Sequence, residues 1–254
     1  MDQSVTAVYQ LTTEADPQRT AAMIAGEQSS GTFIAIPGED EALKARSAAT
    51  WNIEPISTST ASTYSHYRLT LSWPFANLGV SLPNLLATIA GNLYELRPVD
   101  SLRLLDFELP TAFAHAYPGP AFGISGTRVL TGVVEAPLIG TIIKPSVGLS
   151  AADTAAMVDQ LCAAGIDFIK DDELQADGSS CPFDERVKLC MAVIRRHADR
   201  TGRKVMYAFN LTGELDEMRR RHDLVVAEGG TAVMLSLNSV GMTGFNAFRR
   251  HAQL

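Results

Sequence analysis

The stretch Gly165-Ile166-Asp167-Phe168-Ile169-Lys170-Asp171-Asp172-Glu173 decides how the second half of this chain folds. A short apolar run of this kind fits a strand, and it ends in one amine and three carboxylates. Side chains alternate along a strand, so Lys170 and Asp172 point the same way, with Glu173 just past the end. Such charges are costly to leave unpaired, but they suit a hard cation that prefers oxygen ligands. An isolated cluster of this type is ordinarily a solvated acidic turn. What weighs against that reading is an earlier strand, Gly140-Thr141-Ile142-Ile143-Lys144-Pro145, which also ends in a lysine. Two strand-ending lysines one βα unit apart point to a site.

Working outward, strand and helix signals alternate from Leu138 to the end of the chain. The expected strands are Leu138–Lys144, Ile166–Asp171, Lys204–Asn210 and Thr231–Leu237. Ser150 should cap the first intervening helix, and Gly165 should close it in a left-handed conformation. Pro182 opens the next, with Phe183, Val187, Cys190, Met191 and Ile194 inward. A third helix carries Leu215, Met218, His222 and Val225, with His222 on its flank rather than serving as a ligand, and a last helix runs from Phe245 to His251. Consecutive βα units with apolar strands predict a parallel sheet, doubly wound or barrel-like, whose chemistry gathers at the carboxyl ends of the strands. Lys144, Lys170, Asp172, Glu173 and Asn210 all fall at that end. Four units are about half of a (β/α)8 barrel.

Before about residue 110 the order is β-α-β-β-α-β, which predicts a ferredoxin-like α+β domain. Its expected strands are Val5–Leu11, Gly31–Ile36, Tyr64–Trp73 and Ser101–Glu108. Asp16-Pro17 starts one helix, Ser81 caps another through Ala90, and a short helix is expected over Glu39–Ala48. Residues 110–126 read as a linker containing a short helix. The expected domains are 1–118 and 119–254.

A net charge of -7 argues against a nucleic-acid surface. The basic run Arg219-Arg220-Arg221-His222 is expected to be a solvated helix face. Three cysteines without metal-ligand spacing fit reduced thiols in the cytosol, so the expected location is cytoplasmic. Neither a signal peptide nor an apolar run long enough to span a membrane is visible.

At its strand-end motifs the chain resembles the large subunit of ribulose-bisphosphate carboxylase/oxygenase (Rubisco), and more closely the Rubisco-like proteins (form IV). Gly140-Thr-Ile-Ile-Lys-Pro-Ser-Val-Gly-Leu-Ser150 is similar to that family's first barrel strand, and Gly165–Glu173 to its metal-binding strand. Gly26-Glu27-Gln28-Ser29-Ser30-Gly31-Thr32-Phe33 and Gly91-Asn92 resemble its two N-terminal active-site segments. The resemblance implies that carbon dioxide carbamylates Lys170 and that the carbamate, Asp172 and Glu173 hold Mg²⁺. It also implies Lys144 as the acid/base group acting on a metal-stabilised enediolate. Glu27, Thr32 and Asn92 would bind substrate across a subunit interface, in a homodimer or higher oligomer. On their own, Asn92 reads as a helix C-cap and Thr32 as a strand residue.

Three departures separate the chain from true carboxylases. Ser146 stands where they carry a second lysine, Phe33 where they carry a tryptophan, and the segment Leu174–Pro182 is closer to the Rubisco-like branch. The expected function is therefore an Mg²⁺-dependent decarboxylase, enolase or isomerase acting on a sugar acid or sugar phosphate, with ribulose-bisphosphate carboxylase as an alternative. The family's later strands have no counterpart before Leu254. A further expectation is thus a fragment of a longer protein or a truncated, inactive paralogue.

Overall fold

A computed structural model describes residues 3–31, 49–56, 65–117 and 119–254. The chain divides into two compact units, Met1–Pro118 and Gly119–Leu254.

In the first unit, β1 (Ser4–Thr12) lies between β3 (His66–Pro74) and β4 (Ser101–Glu108), antiparallel to both. The edge strand β2 (Thr50–Pro55) pairs with β3, which completes the order β2-β3-β1-β4 of a ferredoxin-like sheet. Alternation sends Val5, Ala7, Tyr9 and Leu11 of β1, and Leu69, Leu71 and Trp73 of β3, into the core. There they meet Ala21 and Ile24 of α1 (Pro17–Glu27) and, across a short helix α2 (Phe75–Leu78), Leu85 and Ile89 of α3 (Leu82–Ala90). The Asp16 carboxylate accepts from the Arg19 amide to cap α1, and Ser81 accepts from Asn84 to cap α3. The strand at Thr50–Pro55 was not expected: almost all of its residues are exposed, so it lacks the alternation that marks a half-buried strand. The strand expected at Gly31–Ile36 and the helix expected at Glu39–Ala48 lie, from residue 32 on, outside the described residues.

The short helix expected within residues 110–126 is α4 (Thr111–Ala116), which ends the first unit; the second unit begins with α5 (Gly123–Thr131), which was not expected. Four parallel strands then follow in the order β5 (Gly140–Ile142), β6 (Phe168–Lys170), β7 (Met206–Asn210), β8 (Ala232–Met234). Between them run α6 (Ala151–Ala163), α7 (Phe183–Thr201) and α8 (Leu215–Ala227), and α9 (Leu237–His251) follows β8. This is the first half of a (β/α)8 barrel. The strands are shorter than expected but sit where the apolar runs placed them. α6 opens with a full capping box between Ser150 and Asp153 and ends at Gly165, whose φ of 84° requires a glycine. Gly140 is needed for another reason: a Cβ there would lie 2.0 Å from the Phe168 ring on the neighbouring strand. The last helix begins earlier than expected, with a break at Gly241 that divides it in two.

The core of this unit packs Ile143, Ile169, Tyr207 and Phe209 of the strand region against Phe183, Val187, Cys190 and Ile194 of α7. The basic run of α8 is a solvated face only in part. Arg219 and Arg220 are outward, whereas Arg221 and His222 are buried. Arg221 donates to the carbonyls of Leu211 and Thr212 and to Asp177. His222 lies in the core rather than on a flank, edge-on to Phe248 at 5.7 Å. Its Nε2 accepts from the Gln253 amide at 3.0 Å, so its proton resides on Nδ1 and is donated to Asp223, which also accepts from His251. The trio is a hydrogen-bonded clasp between α8 and the end of α9. Among the described residues, no helix is long and apolar enough to cross a membrane.

Candidate active site

The carboxyl ends of β5 and β6 bring four of the expected site residues together. Parallel pairing sets Ile142 opposite Lys170, so Lys144 lies beside the segment that leaves β6. Its ammonium donates to the Asp172 carboxylate and, at 2.9 Å, to the Ser146 hydroxyl. Lys170 donates to Glu173 Oε1 at 2.7 Å and to the Asp171 carbonyl at 2.9 Å. The result is two lysine–carboxylate pairs side by side. Lys144 and Glu173 are open to solvent, while Asp172 is buried and also accepts from the Leu174 amide at 2.9 Å. The hydrogen bond from Lys144 holds the Asp172 carboxyl below its ordinary range, and that from Lys170 does the same for Glu173.

Asp171 faces the other way, as alternation requires, and is fully buried beneath the site. Its Oδ2 accepts from Arg186 at 3.1 Å and from the Asn210 amide at 2.9 Å, and its Oδ1 from the Tyr207 hydroxyl at 2.6 Å. Burial pushes this carboxyl upward, against the pull of Arg186 and the two other donors. Burial alone would lower Arg186, but the Asp171 charge, the hydrogen bond to Cys181 and the neighbouring Tyr207 together outweigh it, so the guanidinium stays protonated. With both oxygens accepting, the pair is ionic. Arg186 also donates to the carbonyls of Ala176 and Cys181, which ties down the loop that follows β6. Asp171, Arg186 and Tyr207 were not expected as site residues, and Asn210 was expected at the strand ends without an assigned role. The available signal was Arg186 itself, three residues after Phe183 and four before Cys190, hence on the inward stripe of α7.

In the first unit, Glu27 and Asn92 line one cavity of about 480 Å³ together with Met23, Leu96 and Arg97. Gln28 holds the two segments together. With its amide oriented to satisfy both ends, it donates to the carbonyls of Ala87 and Thr88 and accepts from the amides of Asn92 and Leu93. Asn92 opens a 3-10 turn, and the helix C-cap expected there is Gly91. Thr32 lies outside the described residues.

The donor chemistry of the second unit can be tested against a divalent cation. Asp172 and Glu173 are suitable oxygen ligands, whereas an unmodified Lys170 ammonium beside them would repel the ion. The set fits Mg²⁺ once Lys170 becomes an anionic oxygen donor.

Two family models match the chain. One, described as ribulose bisphosphate carboxylase large chain, catalytic domain, matches residues 123–254; the other, the N-terminal domain of the same large chain, matches residues 1–113. The chain is 57% identical to a 3-oxo-isoapionate-4-phosphate transcarboxylase/hydrolase of Xanthobacter autotrophicus, over 100% of this chain and 64% of that protein. It is 38% identical to a 3-oxo-isoapionate-4-phosphate decarboxylase of Rhizobium etli, over 98% of this chain and 63% of that protein. A crystal structure of a rubisco-like protein from Burkholderia fungorum superposes with a TM-score of 0.88 at 43% identity, covering 99% of this chain and 63% of that one. The chain thus spans less than two thirds of the length of these relatives.

Proposed function

The chain belongs to the ribulose bisphosphate carboxylase large-chain family, and from that premise we propose that its strand-end site serves an Mg²⁺-dependent enzyme that removes a carboxyl group from a phosphorylated 3-oxo sugar acid. The observation that carries this reading is the paired arrangement of Lys144 with Asp172 and Lys170 with Glu173. Carbon dioxide would carbamylate Lys170, so that the carbamate, Asp172 and Glu173 hold the ion. The Mg²⁺ ion would supply Lewis-acid stabilisation of the negative charge that develops on substrate oxygens.

The proposed work of the remaining residues follows from their positions. Breaking the bond to the carboxyl group sends its electron pair toward the neighbouring ketone, and the carbon then needs a proton. Lys144 is exposed, carries protons on Nζ, and is held by Asp172 and Ser146, so it is suited to deliver one. Ser146, in place of the carboxylases' second lysine, leaves one fewer base for adding carbon dioxide and favours a carboxyl-removing role over carboxylation. The two relatives' names share one substrate and differ in where the carboxyl group goes, which supports the substrate class more than the fate of that group. Glu27, Thr32 and Asn92 are proposed to contact substrate across the interface of a homo-oligomer.

The test is carboxyl loss from 3-oxo-isoapionate 4-phosphate with Mg²⁺, alongside calorimetric Mg²⁺ binding, for the wild type and Lys170→Ala. The expected result is that the substitution abolishes both. Turnover retained in Lys170→Ala, or no carboxyl loss in the wild type, would overturn the reading.

A further inference from the structure

We propose that Asn210 is a positioning residue that clamps the backbone carrying Asp172 and Glu173; the inference builds on the metal-site reading above. Strand β6 ends at Lys170, and the chain then leaves the sheet in an irregular loop that runs to α7. Two of the three proposed ligands therefore stand on loop backbone rather than on a strand. Their side chains are tied to flexible lysines, one of them open to solvent, which cannot hold a loop in place. A cation site needs its ligands fixed within about 0.5 Å, so the rigidity must come from beneath.

Asn210 supplies it from the end of β7. It is 1% exposed, and its Nδ2 points at three loop carbonyls: Glu173 at 3.1 Å, Asp172 at 3.3 Å and Gln175 at 3.3 Å. Its Oδ1 accepts from the Thr212 amide at 3.1 Å. That bond fixes the direction of the amide, because a reversed side chain would set its oxygen against three carbonyl oxygens and its NH₂ against an N–H. The Asn210 main-chain amide meanwhile donates to Asp171. One residue thus bonds Asp171, Asp172, Glu173 and Gln175. The bracing continues sideways, since the Thr212 hydroxyl accepts from the Ser236 amide at the end of β8. Few other side chains could do this. Aspartate has the same shape but would face the carbonyls with acceptors only, and leucine would take the donor from the Glu173 carbonyl and the second donor from those of Asp172 and Gln175.

The experiment compares Asn210→Asp, and the smaller Asn210→Ser, with Val187→Ala. Val187 is a fully buried α7 residue, so its truncation lowers stability without removing a hydrogen bond from the loop. Two quantities are read: amide hydrogen exchange at Leu174 and Gln175 in metal-free protein, and the Mg²⁺ dissociation constant by calorimetry. Both amides are bonded to Asp172, so they report whether the loop holds its shape. The Asn210 variants are expected to exchange there about tenfold faster or more and to bind Mg²⁺ about 10–100-fold more weakly, whereas Val187→Ala changes neither. Wild-type protection and affinity in both Asn210 variants would overturn the clamp, as would an equal loosening in Val187→Ala. If wild-type protein binds no Mg²⁺, the metal reading fails, and the exchange comparison still judges the clamp on its own.

Discussion

Asp171 and Asp172 are neighbours in sequence with opposite surroundings. Asp171 lies under the sheet with Arg186, Tyr207 and the Asn210 amide, sealed from water. Asp172 turns toward the strand ends and meets Lys144, whose side chain is 62% exposed. The chain leaving β6 turns two successive, identical side chains to opposite sides, which is enough to give them different surroundings. The buried pair can set geometry but cannot meet a substrate, whereas the open pair can do both acid/base work and ligation. A strand end that must be rigid and reactive at once divides those duties between its two faces.

The division can be attacked from either side. On the open face, Lys144→Met should lower turnover about 10²–10⁴-fold, the range for removing a general acid. It should change stability by no more than about 1 kcal/mol, because the lysine is open to solvent and Asp172 keeps the Leu174 amide as a donor. Steady-state kinetics and urea titration of the same preparation measure both, and a large loss of stability would mean that Lys144 also belongs to the structural face. On the buried face, Arg186→Met leaves Asp171 ionised and uncompensated in the interior. The expected cost is about 3–5 kcal/mol, read as a lowered urea midpoint at unchanged slope. A loss comparable to that of a surface pair would show that water reaches Asp171, and the contrast between the two faces would fail.

Much of this arrangement was legible in the sequence, and the limits have physical causes. The strand-ending lysines and the acidic triplet placed the open face because charged residues that interrupt an apolar run mark its end. Caps at Asp16, Ser81 and Ser150 placed helix starts because an orphaned amide needs a nearby side-chain oxygen. Strand lengths were overestimated because an apolar residue just outside a three-residue strand is buried like one inside it. Thr50–Pro55 escaped notice because an exposed edge strand carries no hydrophobic period. Arg186 and Arg221 are illegible for the opposite reason: charge ordinarily marks the solvent side of a helix, yet both point inward, over the Phe183 ring at 5.3 and 5.5 Å. Each is held there by loop carbonyls and a carboxylate that only the folded chain assembles. Asn210 was visible as a strand-end residue, but its three acceptors belong to a loop that comes more than thirty residues earlier.

The smallest expected effect is in the pH dependence, where the two aspartates should act with opposite sign. The Asp172 carboxyl is held below its ordinary range, so its contribution to stability is complete above the unfolded value of about 3.9 and is lost as pH falls through the folded value. The Asp171 carboxyl is pushed upward by burial, so its titration favours the folded state at low pH, and that advantage is lost as pH rises from about 3.9 through the folded value. Asp172→Asn should therefore flatten the acid limb of a plot of melting temperature against pH, by a few degrees at most once solvent screening of its partner is allowed for. Removing the Lys144 charge should flatten the same limb, since the hydrogen bond from Lys144 is the main cause of the depression. An acid limb left unchanged by both substitutions would mean that Lys144 and Asp172 are not paired in solution. The open face would then lack the preformed acid/base pair that distinguishes it from the buried one.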